Sequence, residues 1–254
     1  MLNVDINSVS VLNENKRRII LKEIKFELRE GKVYTILGKN GSGKSTLIKS
    51  LTSLLPEELY KVEGKVFFNG LNLLSTTHEN LRAIRKKNIR YVLQDVANSL
   101  DPLKKLSYYF NLAETDSKQI EDYLNYFLLP SYKKLFTLHP YELSGGMAQR
   151  LLIVLALLAN PNIIILDEPT SGVDYAITNL ILLKLKEFIK EKDKSVLIVT
   201  QDINFALKSS DYIAYLSNGS LTNFLTPSDF ILTESDAEMK NFIQSYKEIE
   251  NAST

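Results

Sequence analysis

The sequence predicts an α/β fold built on a mostly parallel sheet, and three observations carry that reading. Short, continuous apolar runs recur at residues 33–37, 89–93, 163–166, 196–199 and 212–216, as in strands buried on both faces. Helical segments separate them, which is the alternation that parallel crossovers require. A glycine-rich loop, Gly38-Lys39-Asn40-Gly41-Ser42-Gly43-Lys44-Ser45-Thr46, joins the first run to the first helix.

The elements follow in order. VYTIL at 33–37 is rich in strand formers, and STLIKSLTSLL at 45–55 has helical spacing and stops at Pro56. Residues 65–68 lie between the turn signals Glu63-Gly64 and Asn69-Gly70 and predict a hairpin. After the strand IRYVL at 89–93, the pattern from Asp101 to Tyr141 turns helical and irregular. Its aromatics, Tyr108, Tyr109, Phe110, Tyr123, Tyr126 and Phe127, predict a separate helical lobe. QRLLIVLALLA at 149–159 is apolar nearly all round, so it predicts a buried helix ended by Asn160-Pro161. An amphipathic helix near 178–192 separates the strands at 163–166 and 196–199. The tail adds the 212–216 strand, an Asn218-Gly219 turn and a polar helical end after Pro227. There is no internal repeat and no low-complexity linker. One domain is expected: a nucleotide-binding core from residues 1–94 and 162–254, with a small antiparallel β part, and an inserted helical part over 95–161.

Composition excludes several classes. The 254 residues are 44% hydrophobic and 24% charged, enough to bury a sizeable core. The formal charge of +1 draws the chain globally to neither nucleic acid nor anionic lipid. Without cysteine there is no disulfide, thiolate nucleophile or Cys-held metal, and His78 and His139 form no metal constellation. The N-terminus MLNVDINSVS does not read as a signal peptide, and the longest apolar run, 151–159, is too short to span a bilayer. Work at a membrane therefore requires another chain to span it.

The loop satisfies G-x-x-x-x-G-K-[ST] between a strand and a helix. Gly38, Gly41 and Gly43 let the backbone turn so that the amides around Asn40 and Ser42 face inward. The helix start at Ser45 and Thr46 adds partial positive charge, which together makes a nest for phosphate. Lys44 is placed to reach β- and γ-phosphates, and the Ser45 hydroxyl to ligate Mg²⁺. Asp167, emerging from the 163–166 run, is the expected metal carboxylate. Glu168 beside it is the expected general base for attack of water on a γ-phosphate. A glycine- and serine-rich surface turn and a solvated strand end are the plainer alternatives, and the pairing of the two motifs argues against them. The expected fold is thus a P-loop NTPase (RecA-like) core, with ATP and Mg²⁺ as cofactors.

Leu143-Ser144-Gly145-Gly146-Met147-Ala148-Gln149 resembles the LSGGQ signature of ATP-binding cassette (ABC) ATPases, and the resemblance covers nearly the whole chain. It implies that Ser144, Gly145 and Gly146 grip the γ-phosphate held by a second cassette arranged head to tail. It implies that Gln94 contacts Mg²⁺ and the attacking water, and that Asp174, in Ser171-Gly172-Val173-Asp174, links the two sites. Gln94-Asp95, the stretch from Asn98 to Leu103 and the stretch from His139 to Arg150 resemble the ATPases of oligopeptide, dipeptide and nickel importers. The implied partners are a second ABC ATPase subunit, transmembrane permease subunits and, indirectly, an extracytoplasmic solute-binding protein. The implied place is the cytoplasmic face of the membrane. A chromosome-maintenance ATPase head shares these motifs but needs a long coiled coil between them.

The chain departs from this family in two places. Gln201, in Thr200-Gln201-Asp202, stands where the family carries a switch histidine; it can donate a hydrogen bond but cannot become cationic. Near Val9-Ser10-Val11-Leu12, where many members stack an aromatic on adenine, the residues are aliphatic. The sequence therefore predicts an ATP-binding, ATP-hydrolysing importer subunit, with a weakly catalytic regulatory cassette of a heterodimer as the alternative that Gln201 motivates.

Overall fold

The computed structural model describes residues 1–13, 16–94, 99–113, 115–233 and 239–244. The chain begins with two antiparallel strands that a search for continuous apolar runs misses, β1 (Leu2–Asn13) and β2 (Lys16–Leu28). Their signal is alternation. Leu2, Val4 and Ile6 are buried while Asn3 and Asn7 are exposed, the period-two pattern of a sheet with one wet face. Then come β3 (Lys32–Leu37), the glycine loop and α1 (Lys44–Ser50).

The helix is shorter than the expected 45–55. Ser53 takes φ 52°, a left-handed turn that ends it, and the Arg85 guanidinium binds the carbonyls of Thr52 and Ser53. The next strand corrects a second expectation. Glu63-Gly64 is no turn, because β4 (Tyr60–Phe68) runs straight through it. Gly64 instead sits at a register shift opposite Ile6 with φ 140°, where a Cβ would stand 2.3 Å from Asp5 O. The hairpin partner is β5 (Leu71–Asn72), completing a sheet in the order β2-β1-β4-β5.

Beyond α2 (His78–Lys87) and β6 (Ile89–Val92), three short helices occupy the aromatic stretch: α3 (Leu106–Leu112), α4 (Ser117–Tyr126) and α5 (Tyr132–Leu135). They pack Leu106, Phe110, Ile120, Leu124, Phe127 and Leu135 against α6 (Gly145–Leu158), which is buried nearly all round. Arg150 of α6 donates to Phe127 O (2.9 Å) and Leu128 O (3.0 Å), satisfying carbonyls at the end of α4 and tying that helix to α6. Asp95 and Asn98 of the importer-like motif lie outside the described residues.

β7 (Ile163–Asp167), α7 (Tyr175–Phe188), β8 (Ser195–Thr200), α8 (Ile203–Ser209), β9 (Tyr212–Ser217), β10 (Ser220–Leu221) and α9 (Pro227–Leu232) complete the order. α7 starts and ends earlier than the expected 178–192. Asp174 caps its first turn by accepting from Ile177 N at 2.9 Å, and Ile189 N–H closes its last. The main sheet runs β10-β9-β3-β8-β7-β6, parallel except for β10. One face packs on α6 and α7 through Ile164, Leu166, Val196 and Ile198, while the other packs on α1 and the antiparallel sheet through Ile163, Ile165, Leu197 and Val199. This is the P-loop NTPase core with its antiparallel and helical additions. Among the described residues no helix is long and apolar enough to cross a membrane.

Candidate functional site

The site forms where β3, β8 and β7 lie side by side and end together. The register pairs Leu37 with Thr200 and Asp167 with Val199, so the loop after β3, Glu168 and Gln201 emerge at one level of the sheet. Gly38 has no room for a side chain: a Cβ would lie 2.7 Å from both Leu216 O and Ser42 Oγ. Gly43 takes φ 102° and caps α1, whose first helical bond is Leu47 N–H to Gly43 O at 2.8 Å. The amides of Lys44, Ser45 and Thr46 thus have no partner within the helix.

Lys44 is 6% exposed and folds back over the loop, donating to Gly38 O (2.7 Å) and Lys39 O (3.2 Å). Its Nζ also stands 3.4 Å from Glu168 Oε1, an ion pair without hydrogen-bond geometry. Glu168 Oε2 accepts from Thr200 Oγ1 (2.8 Å) and from Gln201 N (3.2 Å). The Glu168 backbone sits at φ 50°, an unfavourable value for a side-chain-bearing residue at the exit of β7. Asp167 is 2% exposed, and its Oδ1 has no hydrogen-bond partner. Burial pushes its carboxyl above the usual carboxylate range; the Ser45 hydroxyl, donating to it, opposes that, and the Glu168 charge adds to it.

A cleft of about 750 Å³ opens over these groups. It is lined by Asn40, Gly41, Ser42, Gly43, Lys44, Ser45 and Thr46, by Asp167 and Glu168, and by Gln94, which follows the end of β6. The other expected residues lie elsewhere. The Gln201 side chain is exposed and absent from the lining, so only its amide reaches the site. Ser144 caps α6 by accepting from Met147 N, and Asp174 caps α7; both are exposed and outside the cleft. Their two segments do meet, since a Cβ on Gly146 would lie 3.5 Å from Gly172 O.

Two groups of lining residues escape motif reading: Arg18, Ile19 and Ile20 of β2, joined there by Val11 of β1, and Ser217, Asn218 and Gly219 at the end of β9. Pairing of the alternating 16–28 stretch with 9–12 would have pointed to the β2 residues. Thr200 escapes too, although a threonine closing an apolar run beside Gln201 was there to be seen. Tyr34 is 4% exposed, stacks on Tyr212 with centroids 5.3 Å apart, and faces the core.

The donor set fits a magnesium nucleotide. Asp167 Oδ1 and Ser42 Oγ are buried without partners, the loop amides and Lys44 offer hydrogen-bond donors, and Ser45 stands beside Asp167. Magnesium is usually bound through one or two carboxylates while phosphates and water fill the remaining positions, and this cluster supplies that number.

The ABC transporter family profile matches residues 21–171. The metal-staphylopine import system ATP-binding protein CntD of Staphylococcus aureus is 31% identical over 80% of this chain and 78% of its own length. The dipeptide transport ATP-binding protein DppD of Caldanaerobacter subterraneus is 35% identical over 79% of this chain, which spans only 64% of DppD. The dimeric post-hydrolysis structure of the ATP-binding cassette MJ0796, bound to ADP and Pi, matches with a TM-score of 0.76 at 27% identity. That match covers 89% of this chain and 99% of the cassette. The chain belongs to the ABC transporter family, as an ATP-binding and ATP-hydrolysing cassette similar to those of peptide and metal-staphylopine importers.

Proposed function

We propose that this cassette binds Mg-ATP in the cleft and hydrolyses it to drive an importer of peptides, nickel or metal chelates. The observation that carries the reading is the meeting of Lys44, Ser45, Asp167 and Glu168 in one cleft at the carboxyl edge of the sheet. Lys44 exchanges its loop carbonyls for β- and γ-phosphate oxygens. Ser45 and Asp167, with Gln94, hold Mg²⁺, which when bound neutralises charge on the phosphates. Glu168, released from Lys44 by the nucleotide, takes the proton of the attacking water. The Gln201 backbone amide holds the Glu168 carboxylate, while its exposed side chain adds no charge beside the γ-phosphate.

The Ser144-Gly145-Gly146 nest and Asp174 lie outside this chain's own cleft, consistent with service to a second cassette packed head to tail. The remaining partners are transmembrane permease subunits, which would hold the chain at the cytoplasmic face of the membrane, and behind them a solute-binding protein. Nucleic acid is not a partner in this reading.

The test is steady-state Mg-ATP hydrolysis by the purified chain beside Glu168→Gln. Turnover that the variant loses while still binding ATP supports a catalytic cassette, and turnover that the variant keeps removes Glu168 from the base role.

A second reading, a regulatory cassette that leaves most hydrolysis to a sister chain, rests on Gln201 in the histidine's place with its side chain outside the cleft. Hydrolysis by a heterodimer that depends on the sister's phosphate-loop lysine and not on Lys44 would favour it.

A further inference from the structure

We propose that Arg18 is the base-recognition residue of this cassette, its planar guanidinium stacking on the nucleobase where no aromatic is available. The inference deepens the Mg-ATP reading above and rests on it. The phosphate loop defines one end of the cleft. Ile20 touches that loop, since a Cβ on Gly43 would meet Ile20 Cγ2 at 3.4 Å. Arg18 lies two residues further along β2, about 7 Å away at the rise of a strand, roughly the span of a ribose. It also lines the cleft.

Arg18 is paired directly across the hairpin with Val11, so their side chains share one face and frame the same end of the pocket. Val11, aliphatic and on the same face as Arg18, is there to flank a base. Among the described residues no aromatic ring lines the cleft. Among the described residues Arg18 makes no hydrogen bond, ion pair or ring contact that would divert it. A guanidinium is flat, weakly hydrated and suited to stacking on a purine, whereas a lysine ammonium offers a point charge and no face. Stacking is tolerant of base identity, so this platform favours a purine ring without selecting its edge.

The experiment is calorimetric titration of the purified chain with Mg-ATP, Mg-GTP and inorganic tripolyphosphate, in the unchanged chain and in Arg18→Ala, Arg18→Lys and Arg18→Tyr. We expect Arg18→Ala and Arg18→Lys to weaken ATP and GTP by roughly 3- to 10-fold and to leave tripolyphosphate unchanged, with Arg18→Tyr restoring nucleotide affinity. Equal losses for nucleotide and tripolyphosphate, or full activity of Arg18→Lys as a replacement, make Arg18 a phosphate contact and overturn the proposal. So does unchanged nucleotide affinity in Arg18→Ala. Lys44→Ala separates the two readings: if the unchanged chain binds no nucleotide, or binds it equally well without Lys44, the phosphate site itself falls and the Arg18 role with it.

Discussion

Lys44 Nζ and Glu168 Oε1 stand 3.4 Å apart with both side chains under 10% exposed, so the phosphate-binding cation and the expected base neutralise each other in a nearly dry site. Each is held by a second set of contacts, Lys44 by two loop carbonyls and Glu168 by Thr200 and Gln201 N. Glu168→Gln keeps the shape of that pocket and removes the proton acceptor. Turnover should fall by about 10²- to 10⁴-fold while ATP binding persists; single-turnover kinetics and a binding titration on the same sample check it.

Thr200 Oγ1 donates to Glu168 Oε2 and accepts from Asp202 N at 3.0 Å, and the residue is fully buried. Thr200→Val leaves the carboxylate without one of its two hydrogen-bond donors and the Asp202 amide without its acceptor. We expect kcat to drop about 10-fold with KM little changed, and stability to fall by about 1–3 kcal/mol. An unaltered kcat at normal stability would remove Thr200 from any positioning role.

Gln201 puts an uncharged amide where the family resemblance implies imidazole, and its side chain is exposed. Gln201→His should raise turnover severalfold, up to about 10²-fold. Steady-state hydrolysis across pH 6 to 8 reads the change, and a flat result means that the position does not limit the rate.

Burial holds the Asp167 carboxyl above its unfolded value, so the folded chain retains this proton more tightly. The favourable contribution is complete below the unfolded carboxylate range and is lost as pH rises through the folded value. Asp167→Asn should therefore melt above the unchanged chain near neutral pH by about 2–4 °C for each kcal/mol recovered. The gap should close near pH 4, and the stabilisation given by Mg-ATP should disappear. Thermal melts with and without Mg-ATP test both halves; a gap that widens towards low pH contradicts the assignment.

Gly64 takes φ 140° with Asp5 O, Ile6 Cα and Asn7 N closing around it. Gly64→Ala should cost about 1–3 kcal/mol, read by chemical denaturation, with ATP binding unchanged because the bulge lies away from the cleft.

The phosphate loop, Asp167 and Glu168 were legible because their chemistry is local: a glycine pattern between strand and helix, and two carboxylates after a buried run. The long apolar runs of β3, β7 and β8 were legible for the same reason, since burial on both faces leaves a continuous signature. β1 and β2 were not, because many of their residues face water, which leaves alternation in place of a continuous apolar run, and the second partner of β1, β4, is distant in sequence. Gly64 shows the limit at one residue. Glycine beside an acid reads as a turn, yet only the strand lying across it decides between a turn and a bulge.

Order in space belongs to the tertiary structure alone. No local pattern states that β8 lies between β3 and β7, yet that neighbour relation brings Thr200 and the Gln201 amide onto Glu168 and Glu168 onto Lys44. Nor does any motif place Arg18 over the same cleft; the β1–β2 hairpin does, by packing beside the phosphate loop. Residue chemistry and periodicity along the chain establish which groups can bind phosphate and move a proton. Long-range strand pairing, driven by burial of the apolar faces, decides which of those groups meet.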